Sequence, residues 1–255
     1  MDYDRRMTIV MQDGLRERLL QLARSGPAQR LTKFNLDGAV YYSKSPERHR
    51  KLRHRLQKGD PVAAFRREIF LLDAFFARGA SVPEIVARDD QRIILPDQGI
   101  PVHQLHYDGA ASDTVLAKVG AALAGLHVMN LTHGRPSLRD ICWDGERITF
   151  LDLEAGARLQ AGPKHKARDL FLLLHSAMVI DSDAPKLATQ LLDAYLVHGE
   201  RPVWCATRSL ARRLSWVDWL ALPFAQWVQR RGKARNEFRA IRQTRQLILG
   251  HPRTD

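Results

Sequence analysis

Thr132–Glu154 reads THGRPSLRDICWDGERITFLDLE, and the order of its parts carries more information than any one of them. The pair His133-Gly134 comes first, and a polar residue, Asp140, stands seven positions beyond the histidine. Asp144-Gly145 then marks a tight turn, and residues 147–153, RITFLDL, alternate as a strand that ends on Asp152. Singly, Asp140 caps a turn and Asp152 ends a strand. Taken with their spacing, they set one carboxylate in a loop and the other at a strand end.

Working outward from this segment, the chain before it divides into short strands and amphipathic helices. Residues 12–24 have helical periodicity and stop at Ser25-Gly26-Pro27. Residues 30–36 and 39–43 are β-prone runs around Asp37-Gly38, a dipeptide suited to the positive φ angles of a hairpin turn, and Lys44 sits at the end of the second run. Residues 47–58 are dominated by Arg, Lys and His and read as an exposed insert. Residues 62–78 predict a helix with Phe65, Ile69, Leu72 and Phe76 on its apolar stripe and Glu68 flanking it beside Leu71 and Phe75. A carboxylate in that half-apolar setting needs a cation. Residues 84–87 and 92–95 follow as strands, and Pro96-Asp97-Gln98-Gly99 has the breakers of a hinge between lobes.

Beyond the hinge the pattern turns helical. Val115, Leu116, Val119, Leu123, Leu126 and Met129 form one helix face, started by the capping pair Ser112-Asp113. Residues 170–179 are apolar almost all round and predict a buried helix opened by Arg168-Asp169. His127 and His175 fall on apolar faces and read as core histidines. The expected fold is α+β and two-lobed: residues 1–96 form a small β-sheet lobe with one main helix, and residues 97–255 a mainly helical lobe.

Composition bounds the function. The 255 residues are 45% hydrophobic, ordinary for a globular chain. Forty Lys and Arg against 28 acidic residues give a net charge of +12, which favours an anionic partner. Two cysteines, Cys142 and Cys205, have no metal-ligand spacing, which argues for a reducing, cytoplasmic setting and against structural zinc. The first 21 residues lack the apolar run of a signal peptide, and no stretch approaches the ~20 apolar residues needed to cross a bilayer.

The segment around His133 resembles the catalytic and metal-binding loops of the protein-kinase superfamily, HGDxxxxN followed by a strand and an aspartate. The closest resemblance is to lipopolysaccharide core (Kdo/heptose) kinases and small-molecule phosphotransferases, and it covers roughly residues 31–179. It implies an ATP-dependent phosphotransferase with Mg2+ as cofactor. In that reading His133 opens the catalytic loop, Asp152 takes the metal-binding position, and Asp140 stands where a second metal ligand, usually an amide, is found. Lys44 then holds nucleotide phosphates, Glu68 is its partner, and Asp97 joins them on the nucleotide side. Magnesium takes oxygen ligands, so the pair Asp140 and Asp152 is chemically apt. An aspartate near position 169 is expected to support the loop backbone.

Two departures bear on activity. Arg135 stands where the family has its substrate-orienting aspartate, and guanidinium cannot accept a proton. No GxGxxG precedes Lys44; only Gly26 and Gly38 lie in that stretch. Three explanations stand open: another group orients the acceptor, transfer proceeds by positioning and electrostatics, or the chain is a nucleotide-binding pseudokinase or scaffold. Arg135 alternatively clamps an anionic acceptor. A protein kinase is disfavoured, because the segment from Glu154 to Asp169 is short and has no APE motif.

The resemblance and the charge together imply a phosphorylated sugar or anionic glycolipid as acceptor, met at the cytoplasmic face of the inner membrane. Four of the five tryptophans lie at Trp204, Trp216, Trp219 and Trp227, and seven Arg/Lys with one Glu fall in residues 230–245. Trp216, Trp219, Trp227, Arg230 and Arg231 are the expected membrane contacts, because Trp and basic residues suit an anionic headgroup layer. An ordinary helix pair with a solvated basic face reads the same way. No nucleic-acid-binding motif is present.

Overall fold

The computed structural model of the protein describes residues 2–27, 29–46, 60–153, 156–180, 185–215 and 232–252. It is α+β and separates into two compact units, residues 1–77 with 82–98 and residues 78–81 with 99–255. The basic insert at 47–58, Glu154, and the tryptophans and arginines at 216, 219, 227, 230 and 231 lie outside the described residues.

The first unit is built on a hairpin. Strands β1 (Leu31–Leu36) and β2 (Ala39–Lys44) pair antiparallel with Leu36 opposite Ala39, and the two turn residues, Asp37 and Gly38, take φ of 53° and 83°. Those angles twist the turn in the sense the strands require, which is why this dipeptide fixes the register. β3 (Ala87–Arg88) and β4 (Ile93–Pro96) complete a sheet of order β1-β2-β4-β3. Helix α1 (Asp2–Ser25) buries Leu19 and Ala23 against Ala87 and Ile94, with Phe34, Leu36 and Tyr41 around them.

Helix α2 (Pro61–Phe76) starts where Asp60 accepts a hydrogen bond from the Val62 amide at 2.9 Å, with Pro61 at the first helical position. Its buried residues are Phe65, Leu71, Leu72 and Phe75. The stripe expected from sequence is corrected here: Phe76 is 47% exposed and Ile69 only half-buried. The buried face is turned so that Glu68 lies within it rather than beside it.

The second unit holds the segment that opened the sequence reading. β5 (Ile100–Pro101), β6 (Ile141–Trp143) and β7 (Ile148–Phe150) form an antiparallel sheet in that order. Gly99 lies against Trp143, where a Cβ would sit 2.2 Å from the Trp143 carbonyl oxygen, so only glycine fits. Around the sheet are α3 (Val102–Tyr107), α4 (Asp113–Val128), α5 (Pro163–Ile180), α6 (Lys186–His198), α7 (Arg201–Arg213) and α8 (Gly232–Gly250). Ser112 caps α4 by accepting from the Val115 amide, as its sequence predicts. Helix α5 begins seven residues earlier than the apolar run at 170 suggests, so Asp169 is inside the helix and does not cap it. Trp204 is 6% exposed and stacks edge-on with His251, which makes it a core residue rather than a membrane contact. Among the described residues no helix is long and apolar enough to cross a membrane.

Candidate functional site

In the first unit, Lys44 at the end of β2 and Glu68 on α2 meet as predicted from sequence. The Lys44 ammonium donates to Glu68 Oε1 at 2.5 Å, with side chains 11% and 13% exposed. β4 holds Lys44 in register opposite Ile93, and the turned face of α2 aims Glu68 inward. A half-buried pair of this kind costs desolvation and is a weak source of stability, so its fixed geometry is more informative than its energy. Asp97, exposed just after β4, is tied by its amide to the Val40 carbonyl at 3.0 Å.

In the second unit, a buried carboxylate organises the His133 loop. Asp169 on α5 is 1% exposed and accepts from the His133 amide at 2.6 Å and the Gly134 amide at 3.1 Å, the support role implied for it. Gly134 has φ +99°, and a Cβ there would lie 2.5 Å from the Ala157 nitrogen, so no side chain fits. The His133 ring is fully buried and donates from Nε2 to the Leu151 carbonyl at 2.7 Å. Because a carbonyl only accepts, the ring proton is on Nε2. His133 thus works as a positioning residue that ties the loop to the chain just before Asp152.

The rest of the loop is held as closely. The Leu138 amide donates to Ser176 Oγ at 3.1 Å, and its carbonyl accepts from the His103 amide at 3.0 Å. The Asp140 carbonyl accepts from the Leu151 amide at 2.7 Å. In β6 and β7 Ile141 faces Phe150, so Asp140 and Leu151 are the next pair in the same register, and Asp152 follows immediately. Asp140 therefore stands opposite the residue that precedes Asp152.

The strand expected over 147–153 is shorter than its alternation suggests. It ends at Phe150 because His133 captures the Leu151 carbonyl and Asp152 turns to φ +57°. A left-handed conformation costs a non-glycine residue about 1–2 kcal/mol, and it persists where surrounding bonds over-determine it. Asp152 and Arg135 are exposed and Asp140 is half-buried.

His127, read from sequence as a core histidine, is one, and it belongs to a second layer beneath the loop whose other members sequence reasoning missed. His127 on α4 is fully buried; its Nδ1 lies 2.7 Å from the Tyr195 hydroxyl and its Nε2 3.8 Å from Asp169. We assign the tautomer with Nε2–H facing the carboxylate and the Tyr195 hydroxyl donating to Nδ1. Burial holds the His127 pKa below its ordinary value despite the pull of Asp169, and burial likewise pushes the Tyr195 phenol up. Lys166, 2% exposed on α5, donates to Asn130 Oδ1 at 2.8 Å and pairs with Glu200. Its signal was present in the sequence: Lys166 lies four residues before Leu170 and seven before Leu173, on an apolar stripe where a lysine must have partners. Gly156 was also overlooked, and it leaves room for the Arg168 guanidinium, which would stand 3.0 Å from a Cβ there.

The carboxylates of Asp140 and Asp152 are donors of the oxygen type that magnesium takes. Among the described residues no group of three or more His, Cys, Asp and Glu is placed to hold a metal. Magnesium is commonly held by one or two carboxylates, with water and substrate phosphates completing its shell.

No protein-family model matches the chain. An uncharacterized protein of Haemophilus influenzae is 28% identical over 220 residues, covering 85% of this chain and 90% of the relative, so the similarity extends over both units.

Proposed function

We propose that the protein is an ATP-dependent phosphotransferase that phosphorylates a sugar hydroxyl on an anionic, lipopolysaccharide-core-like glycolipid at the cytoplasmic membrane face. The observation that carries the reading is the backbone bond from Leu151 to Asp140, which sets Asp140 opposite the residue before Asp152, where the chain turns left-handed and the buried His133 holds the Leu151 carbonyl. In this reading Asp140 and Asp152 hold Mg2+, which supplies positive charge against that developing on the transferred phosphoryl group. Lys44, oriented by Glu68, holds nucleotide phosphates, with Asp97 on the nucleotide side. Asp169 and His133 keep the loop rigid.

Arg135 shapes the chemistry. It cannot take the acceptor's proton, so transfer depends on positioning and electrostatics, and Arg135 binds an anionic group of the acceptor. Loss of a base costs roughly 10²-fold or more in rate, which predicts a slow enzyme. Purified protein with labelled ATP, Mg2+ and deacylated core oligosaccharide yields labelled glycan, and Asp152→Asn yields none. Asparagine tolerates the left-handed region, so this variant removes charge and leaves the backbone in place. Unlabelled glycan across acceptors and metal concentrations counts against the reading.

Arg135 also favours a second reading, a nucleotide-binding pseudokinase. In that case Mg-ATP raises the melting temperature and no transfer occurs.

A further inference from the structure

Residues 156–159 run beside the start of the His133 loop. The Thr132 amide donates to the Arg158 carbonyl at 3.2 Å, and the Arg158 amide donates back to the Thr132 carbonyl at 3.1 Å. Just before Arg158, a Cβ on Gly156 would stand 3.0 Å from the Arg168 guanidinium and 3.0 Å from the Gly134 Cα, so the glycine is what lets that guanidinium reach the loop. Just after Arg158, the Leu159 carbonyl accepts from the Arg78 guanidinium at 2.7 Å. Arg78, Arg158 and Arg168 thus meet one short stretch of backbone, all three within the second unit and all three exposed.

Their surroundings leave this charge uncompensated. Residues 156–168, GARLQAGPKHKAR, contain no acid; Lys164 and His165 are exposed, and Lys166 is buried with Glu200. Asp169, next to Arg168, is buried and taken by the His133 and Gly134 amides. Glu154 lies outside the described residues. Among the described residues no carboxylate pairs with Arg78, Arg158 or Arg168. Like charges gathered in this way repel one another unless an anion joins them. Arginine offers a planar fork of donors that fits paired oxygens. A phosphate monoester has three free oxygens and close to two charges at neutral pH, enough for more than one fork, whereas a carboxylate has one charge. An anion held here lies along the loop that carries Arg135 and Asp140.

We propose that Arg78, Arg158 and Arg168 form a subsite for a phosphate group already present on the acceptor, which makes the substrate a phosphorylated sugar. The inference rests on the phosphotransferase reading for what the subsite serves, and its test uses neither nucleotide nor metal.

Amide spectra of isotope-labelled full-length protein are recorded in phosphate-free buffer with glucose-6-phosphate, glucuronate or glucose. Glucose-6-phosphate is expected to move the Gly134, Gly156 and Ala157 signals with a Kd on the order of 1 mM, while Gly38 in the first unit stays in place. Glucuronate is expected to bind at least ~3-fold more weakly, and glucose to move nothing. Arg168→Gln raises the Kd roughly 5-fold, and Arg158→Gln does the same and serves if the first variant lowers the melting temperature. Arg66→Gln removes the same charge from the first unit and changes the Kd less than about 2-fold. No shift with glucose-6-phosphate, equal affinity for glucuronate, or equal effects of Arg168→Gln and Arg66→Gln overturns the proposal. Because no nucleotide is present, these results stand apart from whether the protein binds Mg-ATP.

Discussion

His127 shows how a single buried side chain carries a measurable signature. Its ring lies between the Tyr195 hydroxyl and the Asp169 carboxylate, and burial keeps it neutral against the pull of that carboxylate. The unfolded chain takes up a proton near the ordinary value of 6.5, while the folded chain resists it to lower pH. Stability is therefore fully present above about pH 6.5 and lost as the pH falls below it, at a limiting slope of about 1.4 kcal/mol per pH unit. Urea midpoints measured from pH 7.5 to 5 should show this decline in the wild type and a shallower one in His127→Gln. Parallel curves would mean that the histidine does not titrate on unfolding. At this same scale the half-apolar setting of Glu68 called for a cation, and the family resemblance named Lys44 as that cation; the two side chains meet. Lys166 carried the same kind of signal and was overlooked.

At the scale of elements, the hairpin at Asp37-Gly38 and the capped start of α4 could be read directly, since each depends on one or two residues with a specific backbone demand. β5, β6 and α3 could not. They are two to six residues long and exist because the second unit pairs them, which no local propensity records. The early start of α5 was hidden by polar residues in PKHKAR, one of which, Lys166, is buried through partners distant in sequence. Glycines carry a comparable nonlocal requirement. Gly120 lets α4 and α6 approach so closely that a Cβ would lie 2.4 Å from the Leu191 carbonyl oxygen and 2.9 Å from the Tyr195 nitrogen. Both contacts are backbone and cannot rotate away. Gly120→Ala gains about 1 kcal/mol of helix propensity and loses more by forcing the helices apart, for a net destabilisation of about 1–3 kcal/mol. A lower urea midpoint with unchanged slope is the expected result, and a rise would show that the helices can separate without cost.

At the scale of the whole molecule, net charge was readable and its use was not. A formal +12 favours an anionic partner and names none. The structure then removes several cations from that surface: Lys166 is buried with Glu200, Arg245 is buried on Ala211, and Arg208 caps α8. The first unit holds the Lys44–Glu68 pair, and the second holds Asp140 and Asp152 on the segment tied down by His133. The central proposal is that Asp140 and Asp152 hold the magnesium of a bound nucleotide. Titration calorimetry with a non-hydrolysable ATP analogue tests this most directly, in wild type and in Asp152→Asn, with and without Mg2+. The account predicts a single wild-type site that requires Mg2+ and is weakened at least ~10-fold by the substitution, with melting temperature in buffer unchanged. An absence of binding heat in the wild type, or equal affinity in the variant, would contradict it.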